Sequence, residues 1–372
     1  MNMQLETFKL ERYFARYEFA VRHMLCASDC ESMSIQELLS LEPEASASLG
    51  KVWLGYTEPS GAPTLREAIR PLYKTVEAGE ILVHSGAEEA IFLFMHAALR
   101  PGDHIVVHSP CYQSLEAVAT SIGCEVTHWK AREERGWSLD VDELSGLLRE
   151  NTKVVVINTP HNPTGFLMSK ADLRRICQIT DEKGITLFSD EVYRGAEYDP
   201  KDRLSAACDL SRNAVSLGVM SKTYGLPGLR IGWIATHNKD VLSKMERLKD
   251  YTTICNSAPS EFLAELALRH GDSIAARNVG IIKHNLDLLD GFFERHSDRF
   301  QWVRPRAGPI AYPRLIDGNV DKFCEGLVNA TGVLLLPGSV YDDEGGHFRI
   351  GFGRKNMPRA LGRLEEHIDE EG

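Results

Sequence analysis

Short, uninterrupted apolar runs recur through the middle of the chain: Ile81-Leu82-Val83, Ile105-Val106-Val107, Val154-Val155-Val156-Ile157, Leu187-Phe188 and Ala214-Val215-Ser216-Leu217-Gly218-Val219. Each is too short for a helix and ends in Gly, Ser, Pro, Asn, Asp or His, the pattern of a strand buried on both faces. Between the runs, apolar residues fall at helical spacing. Ser169 opens a helix carrying Leu173 and Ile176, and Thr64 with Glu67 makes a capping box before Ala68-Ile69. Alternation of strand and helix from about Thr64 to Leu268 predicts an α/β fold, a doubly wound, mostly parallel sheet with ligands beyond the carboxyl ends of its strands.

After Leu268 the period changes. Ile281, Leu286, Leu289 and Phe293 mark a long amphipathic linking helix, and short strands follow at Trp302-Val303, Val333-Leu334-Leu335-Leu336 and His347-Phe348-Arg349-Ile350-Gly351. A last helix runs from Pro358 to His367, completing a second, smaller α+β domain. The expected division is an N-terminal arm over 1–50, including Ile35-Gln36-Glu37-Leu38-Leu39, packed on the small domain; a large domain over 51–275; and the small domain over 276–372. No internal repeat or low-complexity tract is visible.

The strand ends carry the chemistry. The last run delivers Ser221-Lys222-Thr223-Tyr224-Gly225-Leu226-Pro227-Gly228-Leu229-Arg230, an amine at the end of a rigid strand and a guanidinium returned by a sharp turn. That pair suits pyridoxal phosphate, whose aldehyde needs an amine and whose phosphate needs an anchor. Ile81-Leu82-Val83 leads through His84-Ser85-Gly86-Ala87-Glu88 into a helix whose free N–H groups suit the phosphate. The run before Ser109 brings Tyr112, an aromatic face, and Ile157 is followed by Asn158-Thr159-Pro160-His161-Asn162-Pro163-Thr164-Gly165. Phe188-Ser189 ends in Asp190-Glu191-Val192-Tyr193, a carboxylate able to keep a pyridine nitrogen protonated. Any one of these has an ordinary explanation, as a surface lysine, a core tyrosine, a turn or a cap. Five strand ends carrying five complementary groups do not.

The ordered series Tyr112, Asn162-Pro163-Thr164-Gly165, Asp190-Glu191-Val192-Tyr193 and Ser221-Lys222 through Arg230 resembles the class I and II, fold-type I, pyridoxal-phosphate aminotransferases. Leu54-Gly55-Tyr56 near the start and Phe348-Arg349-Ile350 near the end extend the similarity through nearly the whole chain. The resemblance implies that Lys222 carries the internal aldimine and shuttles protons through a carbanion (quinonoid) intermediate, with Asp190 on the ring nitrogen. It further implies that Asn162 and Tyr193 bond the ring's phenolic oxygen, that Tyr112 stacks on the ring, and that Gly86, Ala87, Glu88, Ser221 and Arg230 form the phosphate cup. Arg349, beside Asn162, would clamp the substrate α-carboxylate in a fork that lysine cannot reproduce. Tyr56 would reach the partner subunit's phosphate, so a homodimer with shared active sites is expected. The expected substrates are an amino acid and an α-keto acid. The alternatives on this scaffold are a β-eliminating lyase and a cyclase.

Two departures qualify the resemblance. Many relatives place a hydroxyl residue three positions before the lysine, where this chain has Val219, so the phosphate cup is expected to lack one donor, a loss of roughly 1.5–3 kcal/mol. The segment Ser28-Asp29-Cys30-Glu31-Ser32-Met33-Ser34 stands where many members carry a glycine-rich substrate loop, and it is similar to the branch containing capreomycidine synthase. Asp29 and Glu31 are candidates to face a cationic substrate side chain, with helix capping the competing role.

Charge and cysteine usage narrow the setting. A net charge of −11 argues against nucleic acid as a partner, and the absence of a basic helix-turn-helix segment argues against a DNA-binding regulator. Cys26, Cys30, Cys111, Cys124, Cys177, Cys208, Cys255 and Cys324 show no C-x-x-C spacing, so no metal is expected and reduced thiols point to a cytoplasmic protein. No signal peptide or membrane span is read.

Overall fold

Strand formation in the computed structural model, which describes residues 5–371, follows the apolar runs. Numbered along the chain, the strands are β1 (His23–Met24), β2 (Ile81–His84), β3 (His104–Ser109), β4 (Glu125–Lys130), β5 (Thr152–Asn158), β6 (Thr186–Asp190), β7 (Ala214–Val219), β8 (Gly232–Ala235), β9 (Phe300–Gln301), β10 (Ile310–Ala311), β11 (Arg314–Leu315), β12 (Val333–Leu334), β13 (Leu336–Pro337) and β14 (Phe348–Gly351). The large sheet has the order β2-β8-β7-β6-β5-β3-β4. Only β8 runs antiparallel to its neighbours, so the other six strands end at the same edge.

Alternate residues of each central strand feed two different cores. Val154 and Val156 join Ile105, Val107, Phe188 and Leu217 on one face, while Val155 and Ile157 join Val106, Leu173 and Ile176 on the other. Burial of each such side chain contributes about 1.5–3 kcal/mol, which is why these strands tolerate no polar face. The helix Lys170–Lys183 begins where expected, with the Ser169 hydroxyl accepting from the Asp172 N–H at 3.0 Å. The Thr64 capping box does not form. Pro63 occupies the first turn of the helix Pro63–Ile69, its fixed φ starting the helix before Thr64 can cap it.

The C-terminal part holds β14 between β10 and β13, with β1 paired in parallel to β12. Its core gathers Leu25, Ile282, Leu286, Phe293, Phe300, Phe348 and Leu364 along the helix Gly271–Arg295. The run Val333-Leu334-Leu335-Leu336 is two strands rather than one, because β12 pairs with β1 and β13 with β14. Leu335 between them accepts a hydrogen bond from the Tyr13 hydroxyl at 2.9 Å. The expected strand at Trp302-Val303 lies two residues earlier, as β9.

The N-terminal segment divides. Leu25 and Cys30 enter the small core, but Leu38 of the helix Ile35–Leu39 packs with Leu65, Ile69, Trp233 and Leu263, so that helix does not sit on the small domain as its sequence position suggested. Residues 25–31 form a strap across the sheet edge, held at both ends by backbone bonds: Gly351 N–H to Leu25 O and Glu31 N–H to Gly353 O, both 2.8 Å. The strap lies so close that a Cβ on Gly351 would stand 2.0 Å from the Ala27 carbonyl oxygen, and one on Gly353 would stand 2.4 Å from that of Asp29.

Gly351→Ala should therefore destabilise the protein by about 1–3 kcal/mol through overpacking against the strap. Gly362→Ala, in the helix Met357–Glu371 with open space around its Cβ, should be neutral or stabilising by up to about 1 kcal/mol. Urea unfolding midpoints of the two variants decide the matter, and equal midpoints would count against the strap contact.

Candidate active site

The edge where β2, β3, β5, β6 and β7 end opens onto a cavity of about 380 Å³. Ala87, Glu88, Tyr112, Asn162, Asp190, Tyr193, Ser221, Lys222, Arg230 and Arg349 all line it. The strand ends explain the convergence, since parallel strands of one sheet deliver their following residues to the same side.

Lys222 follows β7 in a turn closed by the Leu226 N–H to Met220 O bond at 2.9 Å. Its Nζ donates to the Ser28 hydroxyl at 2.9 Å and lies 5.9 Å from the centre of the Tyr193 ring. Burial holds the amine below the ordinary lysine range, partly opposed by Asp29 and Asp190. Asp190 is buried at the end of β6, with the Val192 N–H donating to its Oδ1 at 3.2 Å. Desolvation pushes its carboxyl up to about 7, against the pull of that N–H and of Lys222. Burial in the cavity thus drives both groups toward neutrality.

At the other end, Arg230 adopts φ +51° and swings its guanidinium against the start of the helix Gly86–Ala98. A Cβ on Gly86 would stand 2.5 Å from Arg230 Nη2, so glycine is required both for that contact and for its own φ of +85°. No carboxylate among the described residues pairs with Arg230, and the first N–H groups of the helix face the same space. Val219 lines the cavity with an apolar side chain and offers no hydroxyl there.

Asn162 is oriented by its neighbours. Its N–H donates to Asn158 Oδ1 at 2.6 Å, and Asn158 Nδ2 donates to Asp190 O at 2.9 Å. The Asn162 Oδ1 accepts from Tyr341 Oη at 3.1 Å and Arg349 Nη1 at 3.3 Å, which leaves its Nδ2 for the cavity. The Tyr193 hydroxyl is buried without a hydrogen bond of ordinary geometry, and burial pushes its ionisation well above the ordinary phenol range, opposed by Arg349 and by the nearby Ser28 hydroxyl. Arg349 is 1 % exposed and donates Nε and Nη2 to the Cys26 carbonyl at 3.1 and 2.9 Å and Nη1 to Tyr341 Oη at 2.5 Å. No carboxylate is among its partners. Tyr112 rests on the Phe8 ring and donates to Glu11 Oε1 at 3.4 Å.

These features fit pyridoxal phosphate. An orphaned buried phenol and a free amide Nδ2 match a phenolic oxygen, Asp190 a ring nitrogen, Lys222 an aldehyde, and an unpaired guanidinium at a helix N-terminus a phosphate. Tyr56 does not line the cavity of its own chain; it is 90 % exposed, next to the equally exposed Trp53 and Leu54.

Asp29 and Glu31 do not face the cavity as free carboxylates. Asp29 is held by Arg354, Nε to Oδ1 at 3.0 Å and Nη2 to Oδ2 at 2.9 Å, and Glu31 Oε2 accepts from the Lys355 N–H at 2.8 Å. Both tie the strap to the chain just after β14. The capping of the helix at Ile35 falls instead to Ser34 and Glu37. Sequence reasoning missed Ser28, Asn158, Tyr341 and the helix Lys9–Tyr17, whose Leu10, Glu11 and Phe14 roof the cavity. Asn158 stood at a visible strand end; the others carry no local signal.

Residues 24–364 match the family described as Aminotransferase class I and II. Capreomycidine synthase of Streptomyces vinaceus is 29% identical over 369 residues, 98% of this chain and 93% of that protein. A PLP-dependent aminotransferase structure from Streptococcus suis superposes with a TM-score of 0.93 at 30% identity, covering 99% of each chain. The PLP-dependent cyclase OrfR gives a TM-score of 0.91 at 30% identity over 100% of this chain and 99% of the other.

The raised Asp190 pKa makes a pH prediction for the cofactor-free protein. Between about 4 and about 7 the native carboxyl is protonated while the unfolded one is ionised, so stability falls as pH rises through that window, by up to about 1.4 kcal/mol per unit. Asp190→Asn cannot titrate, and its melting temperature relative to wild type should climb from pH 4 to pH 8. A difference that stays constant across this range would rule the shift out.

Proposed function

Since the chain belongs to the class I and II aminotransferase family and is a pyridoxal-phosphate-dependent enzyme, we propose that it is an aminotransferase acting on an α-amino acid with an α-keto acid as acceptor. The observation that carries this reading is the buried Arg349 guanidinium, which shares one cavity with Lys222 and has no carboxylate partner. A charge so buried is costly unless an anion joins it, and a planar fork suits an α-carboxylate. When bound, the cofactor supplies a carbonyl for the substrate amine and a ring that takes up the electron pair released at Cα.

Each protein group then has a task at a stated atom. Lys222 Nζ, its ammonium already disfavoured by burial, accepts the proton from substrate Cα. Asp190 regains its negative charge opposite a protonated ring nitrogen and keeps that proton in place. Tyr193 and Asn162 Nδ2 donate toward the phenolic oxygen, and Arg230 with the N–H groups of Gly86, Ala87 and Glu88 and the Ser221 hydroxyl holds the phosphate. Phe14 and Leu10 exclude water from above.

A second reading, β-elimination or cyclisation, is favoured by the Ser28 hydroxyl on Lys222 and by the likeness to capreomycidine synthase over 98% of this chain. A hydroxyl beside the base can pass a proton to a group leaving from Cβ, which transamination does not need. Eight cysteines without a disulfide support a reducing compartment, hence a cytoplasmic enzyme. No helix among the described residues is long and apolar enough to cross a membrane.

Purified enzyme given single amino acids should turn over only when a keto acid is added. Acceptor-independent release of ammonia, or of a cyclised product, would instead establish the second reading.

The homodimer belongs to this proposal as well, with the exposed Tyr56 completing the partner's phosphate site. Tyr56→Ala and Lys222→Ala proteins, each nearly inactive, should regain activity when mixed, because hybrid dimers keep one intact site. No recovery after subunit exchange, or a fully active monomer, would refute shared sites.

A further inference from the structure

We propose that the outer face of the small unit carries a second, anion-binding cleft, suited to a small phosphate ester and built from residues that take no part in the Lys222 cavity. Its lining is Arg22, His23, Thr331, Arg359 and Arg363, around a space of about 480 Å³. Three separate segments converge there: the residues entering β1, the end of the helix Val320–Thr331, and one face of the helix Met357–Glu371, where Arg359 and Arg363 lie a turn apart.

Like charges at that spacing repel, and among the described residues only Glu366, on Arg363, offsets them. Among the described residues no carboxylate pairs with Arg22 or Arg359, and Arg363 gives one nitrogen to Glu366. In a protein of net charge −11, three guanidiniums are gathered here with an acidic partner at only one of them.

His23 makes the arrangement more than a basic patch. It is 8 % exposed, lines the cleft, and its imidazole makes no hydrogen bond among the described residues. Burial, then Arg359, Arg363 and Arg22 in that order, hold it below the usual histidine range, and no acidic group acts on it in the other direction. A buried neutral imidazole and three guanidinium forks provide what a phosphate dianion accepts from: planar paired donors and one further N–H. The space exceeds a bare phosphate and leaves room for an organic part. No Phe, Tyr or Trp lines it for stacking, so recognition rests on the phosphate. The site is also tied to the active site by chain connectivity: the His23 N–H is fixed to Gly332 O at 3.1 Å, and three residues later Cys26 supplies the carbonyl that holds Arg349.

The test uses the holoenzyme, whose Arg230 site is filled by the cofactor's own phosphate. Protein with ¹³C-labelled histidine is titrated with glycerol 3-phosphate, with inorganic phosphate, and with potassium chloride at matched ionic strength, following the His23 Cε1 resonance assigned with His23→Gln. The expected result is a saturable shift with the ester, a rise of about one unit in the His23 titration midpoint at saturation, and binding weakened about tenfold in each of Arg22→Ala and Arg359→Ala. Both arginines are exposed, so the variants should fold. A shift that only follows ionic strength as chloride does, saturation by inorganic phosphate but not by the ester, or ester binding untouched by both substitutions would overturn the proposal.

Discussion

The burial of the Arg349 guanidinium is the constraint on which the site depends. A charge taken this far from water costs several kcal/mol unless its N–H groups are met, and here four of the five are met, by groups from three distant parts of the chain. The Cys26 carbonyl comes from the strap, the Tyr341 hydroxyl from the turn before β14, and Asn162 Oδ1 from the loop after β5. None of the three is anionic, so the positive charge is satisfied in geometry yet not neutralised. One residue thereby ties the strap, the turn before β14 and the loop after β5 together.

Around that charge, the remaining groups are poised by desolvation rather than by pairing. Asp190 is pushed up to about 7 and Lys222 is held below its ordinary range, each by burial first and by neighbours second. Both shifts suit the expected partners: a protonated ring nitrogen would restore the aspartate charge, and the neutral amine is the form that would react with a carbonyl. The buried Tyr193 phenol follows the same logic, a polar group without a hydrogen-bond partner at the cavity wall.

The strap lies against the chain around β14. Its close passage is admitted by Gly351 and Gly353, whose missing side chains leave room for the Ala27 and Asp29 carbonyls. Its acidic residues are spent on Arg354 and on the Lys355 N–H, and the group it presents to Lys222 is the neutral Ser28 hydroxyl.

By itself the sequence determined the large sheet and the residues at its strand ends. Strands buried on both faces must be continuous apolar runs, and in a parallel sheet the residues that follow them share one edge, so Lys222, Asp190, Asn162, Tyr112 and Gly86 were legible from order alone. Local competition decided smaller matters: Pro63 started a helix that Thr64 seemed to cap, and Val333-Leu334-Leu335-Leu336 broke in two because its halves pair with different strands. What only the tertiary structure decided were the contacts between residues far apart in the chain. Asp29 meets Arg354, Ser28 meets Lys222, and Tyr341 meets Arg349 and Asn162, none of which leaves a local period or motif. A side chain's partner across such a distance is set by how the small unit and the strap close over the sheet, and the free energy of that closure is spread over the whole core rather than written at either residue.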